Sequence, residues 1–284
     1  MPKGLSLHIG LNTVDTSHYG NVAILKAAEN DPVLMETIAR NRGFETKMLI
    51  GSNATTEAVK EVMNEAAGQL VGGDIFLLTY AGHGSQVPDR NGDEAENSNV
   101  DDAEDETWCL FDRMLVDDEL YALWAAFAPG VRIAMFSDSC HSGTIARTVV
   151  VERVNETIRG NDEKVIIPGA PRILVSEQAM EIYAAHQEAY DAIQTTHAEG
   201  IRIPIKASVI LISACQDNQL AGDGNTNGAF TTALKIRWGG GSFAGSYDTF
   251  RKKIGGLLPV TQSPNYFVIG APNPDFEKQT PFTI

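Results

Sequence analysis

The sequence predicts an α/β sandwich built on a largely parallel sheet, and three observations carry that expectation. Six short apolar runs are spaced along the chain, segments of helical periodicity lie between them, and several runs are apolar at consecutive positions. Consecutive apolar residues suit a strand whose sheet is covered on both faces. Strand alternating with helix is the pattern of a parallel sheet with helices packed against it.

The runs occupy residues 5–11 (LSLHIGL), 46–50 (TKMLI), 74–81 (DIFLLTYA), 131–137 (VRIAMFS), 207–213 (ASVILIS) and 266–269 (YFVI). Residues 21–44 carry apolar side chains at helical spacing, with Gly43 placed to end a helix. Residues 55–70 open on threonines able to cap and close near Gly72 and Gly73, which predicts a second helix. Residues 176–200 (SEQAMEIYAAHQEAYDAIQTTHAEG) read as a further helix. Two stretches break the rhythm. Residues 89–106 hold nine acids and one arginine, a composition that cannot form a core and reads as a solvated acidic loop. Residues from about 144 to 205 are long for a connection in a compact domain and read as an insertion, with basic residues Arg147, Arg153, Arg159, Lys164 and Arg172. The whole chain, 1–284, is expected to be a single domain.

With 43% hydrophobic and 21% charged residues the chain has the composition of an ordered globule. A net charge of −15 opposes binding to nucleic acid or anionic membrane. No window approaches the ~18 apolar residues of a membrane-spanning helix. The first residues, MPKGLSLHIGLNTV, contain no signal-peptide core, so a cytoplasmic location is expected. Cys109, Cys140 and Cys215 show no paired spacing and read as thiols.

Two of the runs end in chemistry. DIFLLTYAGHGS delivers His83 between two glycines, and VRIAMFSDSCHSG delivers Cys140 just before Gly143. In open α/β sheets ligands bind beyond the carboxyl ends of the strands, which places both residues on one edge. A thiol attacks a carbonyl as thiolate, so it needs an imidazole that takes its proton and returns it to the leaving amine. His83 and Cys140 suit those roles, and the backbone N–H groups of Gly84 and Cys140 suit a developing oxyanion. A lone strand-end cysteine is more often a buried thiol, and a lone Gly-His-Gly is more often a turn. Their coincidence at two strand ends reverses that order. A zinc site lacks ligand spacing, since Cys140 and His141 are adjacent and no CxxC exists. His141 is set aside as the base because a neighbour on extended chain points away. Cys215 ends another run but has no glycine-flanked turn after it, and ranks below Cys140.

YAGHGS followed by SDSCHSG resembles the caspase-like cysteine peptidases of the metacaspase group, in particular the prokaryotic orthocaspases. The resemblance extends through NDP at 30–32, DETWCLFDRMLVDDEL at 105–120, SACQDNQLAGDG at 213–224 and NGAFT at 227–231. It implies a caspase-hemoglobinase-like three-layer α/β/α sandwich with a mostly parallel six-stranded sheet. It also implies a cysteine endopeptidase with a His83 and Cys140 dyad, acting as a monomer on protein or peptide substrates after Arg or Lys. Asp138, two residues before the nucleophile, and Asp31, matching a second family pocket aspartate, then form the pocket for P1, the residue preceding the cut. Two carboxylates hold a guanidinium through charge-assisted bonds and repel an Asp. The chemistry requires no cofactor. Calcium enters some family members through acids corresponding to Asp105, Asp117 and Asp118 and a fourth acid seven residues past the nucleophile. Arg147 stands at that fourth position here, and a cation in place of a carboxylate weakens such a site, so either the site is lost or another acid from Asp89 to Glu106 completes it. DGNTNG at 223–228 imitates half an EF-hand loop, but Leu234 holds the twelfth position, so it reads as a glycine-rich loop near the site. Arg147 to Arg172 are expected to offer self-cleavage sites in an exposed segment. The alternatives are a catalytically silent binding or scaffold module and an acidic calcium-binding regulator.

Overall fold

The computed structural model describes residues 1–90, 104–139, 166, 169–197, 204–215 and 219–284. Each of the six apolar runs is a strand. β1 (Gly4–Gly10), β2 (Glu45–Ile50) and β3 (Ile75–Ala81) are followed by a small antiparallel sheet of β4 (Gly84–Pro88), β5 (Glu104–Cys109) and β6 (Met114–Val116). The main sheet continues with β7 (Arg132–Asp138), β8 (Ser208–Ser213) and β9 (Asn265–Gly270), in spatial order β2-β1-β3-β7-β8-β9. Every pairing is parallel except the last, where β9 runs antiparallel to β8.

The sheet is covered on both faces, as the consecutive apolar residues required. In β3, Ile75 and Leu77 pack with Met35, Ile38, Phe230, Leu234, Phe250 and Ile254 on one side. Phe76, Leu78 and Tyr80 pack with Val59, Met63, Leu123 and Trp124 on the other. Alternate residues of one strand thus feed two separate cores, which is what makes three layers. Each large apolar side chain so buried stabilises the fold by about 1.5–3 kcal/mol.

The first predicted helix is shorter than its periodicity suggests. Of residues 21–44 only Asp31–Asn41 is helical (α2, after α1 at Thr16–Tyr19). Pro32 sits in the first turn, where its missing N–H costs nothing, and so marks the start. The ten residues before it stay irregular, which frees their backbone groups for other partners. Gly10, at the end of β1, lets this N-terminus approach the sheet: a Cβ there would lie 2.5 Å from the Ala28 carbonyl and 2.6 Å from the Pro32 ring. The second predicted helix, α3 (Thr56–Gln69), starts where expected, with the Thr55 hydroxyl accepting from the Ala58 N–H.

Two further boundaries differ from the sequence reading. The acidic stretch does not run as loop to residue 106, because Glu104 begins β5 and Asp105 is buried; residues 91–103 lie outside the described residues. Pairing with β4 and β6 supplies the backbone bonds that composition gives no sign of. Within the insertion, the single predicted helix is two, Ser176–Ala185 and Gln187–His197, broken at His186, whose backbone leaves the helical region at φ −125°. Ala179, Ile182, Tyr183 and Tyr190 bury against Val87, Met114 and Val116 of the small sheet, so this part of the insertion is integral to the domain.

Candidate active site

Strands β1, β3 and β7 end in register, with Gly10, Ala81 and Asp138 side by side. The chain leaves β3 through Gly82 and His83 into β4. A Cβ on Gly82 would lie 2.6 Å from the Tyr80 hydroxyl, so only glycine lets that hydroxyl reach round the turn. The Tyr80 hydroxyl donates to the carbonyls of His83 (2.7 Å) and Cys109 (3.1 Å), and the ring stacks on Trp108 at 4.3 Å. The turn bearing His83 is therefore fixed from below.

His83 is buried, and its Nε2–H donates to the carbonyl of Ala23 at 2.7 Å. That bond fixes the tautomer: a neutral ring with Nε2 protonated presents a lone pair on Nδ1. Among the described residues Nδ1 has no hydrogen-bond partner. Burial lowers the imidazole pKa below its usual value, the Ala23 and Ile173 backbones oppose that shift, and the nearby Arg172 charge adds to it. A neutral, oriented imidazole is what a general base requires. Ala23, in the irregular segment before α2, belongs to the site through its backbone alone.

Beside this turn three carboxylates converge on one guanidinium, and the cation is the chain's own Arg172, which has no exposed surface. Asp31, at the N-terminus of α2, receives Arg172 Nη1 at 2.7 Å and also accepts from Asn227 Nδ2 and the Gly228 N–H. Asp138, the last residue of β7, lies 3.2 Å from Nη1 through an oxygen that the Thr231 hydroxyl and N–H also hold. Asp223 receives Nη2 at 3.0 Å and Nε at 3.3 Å, and is itself fixed by the amides of Lys26 and Ala27. Burial lifts the Asp31 carboxyl to about 6, with Asp138 adding to the rise and Arg172 opposing it. The same carboxylates hold the Arg172 guanidinium above its ordinary pKa against the effect of burial. Gly228 closes the pocket wall: a Cβ there would strike the Asp138 carboxylate and sit 2.7 Å from the guanidinium carbon.

The structure thus brings His83, Gly84, Asp31 and Asp138 to one edge. Cys140, named as nucleophile and as oxyanion donor, His141 and Arg147 lie outside the described residues. Cys215 is buried, and its thiol donates to the Ser139 carbonyl at 3.7 Å. Asp105 is in β5, while Asp117 and Asp118 open the helix Asp117–Ala125. Among the described residues no group of three His, Cys, Asp or Glu side chains is arranged to hold a metal ion. The sequence reading missed Asp223, the only signal of which was the half EF-hand it begins. It also expected Arg172 to be exposed, and the structure corrects this: the three carboxylates bury it.

The sheet order and the histidine turn define a caspase-like fold, and the comparisons with known proteins agree. The family model described as Caspase domain matches residues 13–255, most of the chain, and the chain belongs to that family. It is 26% identical to Metacaspase-1 of Mycosarcoma maydis over 82% of its length, and 25% identical to Metacaspase-1 of Schizosaccharomyces pombe over 82%. The chain spans 61% and 58% of the length of these two relatives. A crystal structure of protein GSU0716 from Geobacter sulfurreducens matches with a TM-score of 0.83 and 44% identity, covering 99% of each chain. Caspase-1 from Spodoptera frugiperda matches in fold, with a TM-score of 0.51 at 10% identity over 95% of this chain and 86% of its own. No helix among the described residues is long and apolar enough to cross a membrane.

Proposed function

We propose that this chain is a cysteine endopeptidase that cuts peptide bonds after Arg or Lys. The observation that carries the specificity is the pocket of Asp31, Asp138 and Asp223, which already grips a guanidinium in a fully buried position. A P1 Asp would add a fourth negative charge there.

In this reading His83 Nδ1 takes the proton of the Cys140 thiol, and the thiolate adds to the carbonyl carbon of P1. The Gly84 N–H receives the oxyanion. As the C–N bond breaks, His83 returns the proton to the leaving amine, and water then hydrolyses the thioester. Family membership, the tautomer of His83 and the SDSCHSG motif support it. The test is hydrolysis of fluorogenic peptides ending in Arg, Lys or Asp by the wild type and Cys140→Ala. Hydrolysis after Arg and Lys, lost on substitution, is expected. Preference for Asp, or activity that survives Cys140→Ala, would refute it.

A further inference from the structure

Asp223 faces two ways. The guanidinium of Arg172 reaches its carboxylate at Oδ1, by Nη2 at 3.0 Å and Nε at 3.3 Å. Oδ2 is left to the main-chain N–H of Lys26 at 2.7 Å, and the next amide, that of Ala27, reaches Oδ1 at 3.3 Å. A carboxylate whose whole task is to hold a guanidinium can offer both oxygens to its fork. Here the shortest bond goes to backbone instead.

That backbone leads to the histidine. Lys26 lies three residues past Ala23, whose carbonyl accepts from His83 Nε2 at 2.7 Å. The side chains of Ala23 and Ile24 are exposed, so no core packs round the peptide that carries this carbonyl. Its position is set by the flanks of the segment. On one side Gln178 Nε2 donates to Asn21 O at 2.9 Å. On the other, Leu25 N–H donates to Asn12 O at 2.9 Å, and Leu25 packs on Ala28 and on Ala81, the last residue of β3. Asp223 then clamps the chain just before α2, and it is buried. A charge-assisted bond of this kind is roughly twice as strong as the neutral bond at Leu25. Asp223 also acts on the ring through space: its charge raises the His83 pKa, against the lowering by Arg172.

We propose that Asp223 is a positioning residue for His83: by holding the Lys26 and Ala27 amides it sets the Ala23 carbonyl, which in turn sets the imidazole nitrogen that carries the proton. The kinetic consequence rests on the peptidase reading above, and the tautomer does not. Without the carboxylate, Ala23 can withdraw, Nε2–H loses its acceptor, and the neutral ring shares its proton between both nitrogens. A ring protonated on Nδ1 has no lone pair there to take a thiol proton. If Asp223 only neutralised the cation, its loss would weaken the hold on a basic P1 residue and leave both the tautomer and the turnover of a neutral substrate untouched.

The test reads the ring directly. Full-length Cys140→Ala carrying isotope-labelled histidine takes the thiol away from the ring, and long-range proton–nitrogen correlation reports which nitrogen of each of the six histidines is protonated. His83 is identified by the signal missing in His83→Gln. At about pH 8 the ring is neutral, and a single Nε2–H tautomer is expected. Adding Asp223→Asn should produce a mixture with Nδ1–H. In the enzyme with its thiol intact, Asp223→Asn should lower kcat by about 10- to 100-fold for an Arg peptide and for its neutral citrulline analogue alike. Should Asp223→Asn fail to fold, Lys26→Pro decides: it removes the N–H that Oδ2 accepts, while the Lys26 side chain is exposed and all three pocket carboxylates remain. It should mix the tautomers and lower kcat while keeping the preference for Arg over citrulline. A single Nε2–H tautomer in the variants, or an unchanged kcat on the citrulline peptide, overturns this inference alone and leaves the peptidase reading standing. Wild type that hydrolyses no peptide overturns that reading, and the tautomer measurement then still decides whether Asp223 holds His83.

Discussion

Asp31→Asn isolates the contribution of one pocket carboxylate to P1 recognition. Asn keeps the shape and the acceptor for Asn227 and Gly228, but it removes the anionic end of a 2.7 Å bond to the guanidinium. A hydrogen bond to a charged group contributes about 1.5–3 kcal/mol, so kcat/KM for an Arg peptide should fall about 10- to 150-fold at pH 8. The effect must shrink with acidity. Burial lifts the Asp31 carboxyl to about 6 with a guanidinium present, and that guanidinium opposes the rise. In the empty pocket the group therefore titrates at or above that value, and by pH 5 the wild type has itself protonated Asp31. The assay is kcat/KM from pH 5 to 8.5 on enzyme whose hydrolysis has become linear, for an Arg peptide divided by that for its neutral citrulline analogue. The ratio cancels the titration of thiol and imidazole. Wild-type preference for Arg should rise with pH through about 6 and above and then level, whereas Asp31→Asn should show a flat, low ratio. Parallel profiles, or no loss at pH 8, would refute the assignment of Asp31 to the pocket.

Other consequences concern the base, the scaffold and the sheet. His83→Gln should lower kcat by about 10²–10⁴ while circular dichroism stays that of the wild type; retained activity would remove His83 from the chemistry. Glu119 is buried with Lys60 and a bidentate Arg113 on its carboxylate, at 2.7 and 2.9 Å. Because both cations keep some exposure, Glu119→Gln should cost about 2–3 kcal/mol in urea unfolding, and a loss below about 0.5 kcal/mol would contradict the pairing. His8, buried in β1 between Thr79 and Ser6, has its pKa lowered to about 3, by burial above all. The unfolded chain protonates this group near 6.5 and the folded chain only near 3. Its contribution is therefore fully present above pH 6.5 and is lost as pH falls toward 3, by about 1.4 kcal/mol per pH unit. Stability measured from pH 7 to 4 should fall less steeply in His8→Asn by about that slope.

What was legible in the sequence divides along physical lines. The four inner strands were readable because two covered faces force consecutive apolar residues, and that signal is local; the edge strands β2 and β9, with no fully buried residue, were readable only as short apolar runs. The small sheet was not, since β5 begins with Glu104, Asp105 and Glu106, and its pairing depends on partners far along the chain. His83 could be placed on the site edge from the sequence because two apolar runs end in chemistry, one at His83 and one at Cys140, whereas Gly-His-Gly alone reads as a turn. Its orienting partner was invisible, because Ala23 contributes a carbonyl and every residue has one. Asp223 was hidden in another pattern: an acid opening a glycine- and asparagine-rich loop looks like a calcium ligand until Lys26, Ala27 and Arg172 are found around it. The overlong first helix shows the converse, a periodicity with no structure behind it for ten residues, ended by a proline whose place in the first turn was the better evidence.

The acidic pocket also ties substrate occupancy to the stability of the fold. Asp31, Asp138 and Asp223 come from three distant parts of the chain, and each is held by backbone or side-chain donors besides the guanidinium. Those donors keep the carboxylates converged, but they do not neutralise them. Without a cation, three negative charges would share one buried space, and the interior answers such crowding by protonating one member. The Asp31 carboxyl is already lifted to about 6 by burial with Arg172 in place. On the proposed specificity, a basic P1 residue entering the emptied pocket would displace a proton as well as water, and its binding would strengthen as pH rises. An internal Arg172 removes that requirement while the domain folds, because the cation arrives on the same chain. The same acidity explains why a resident arginine is found in the pocket.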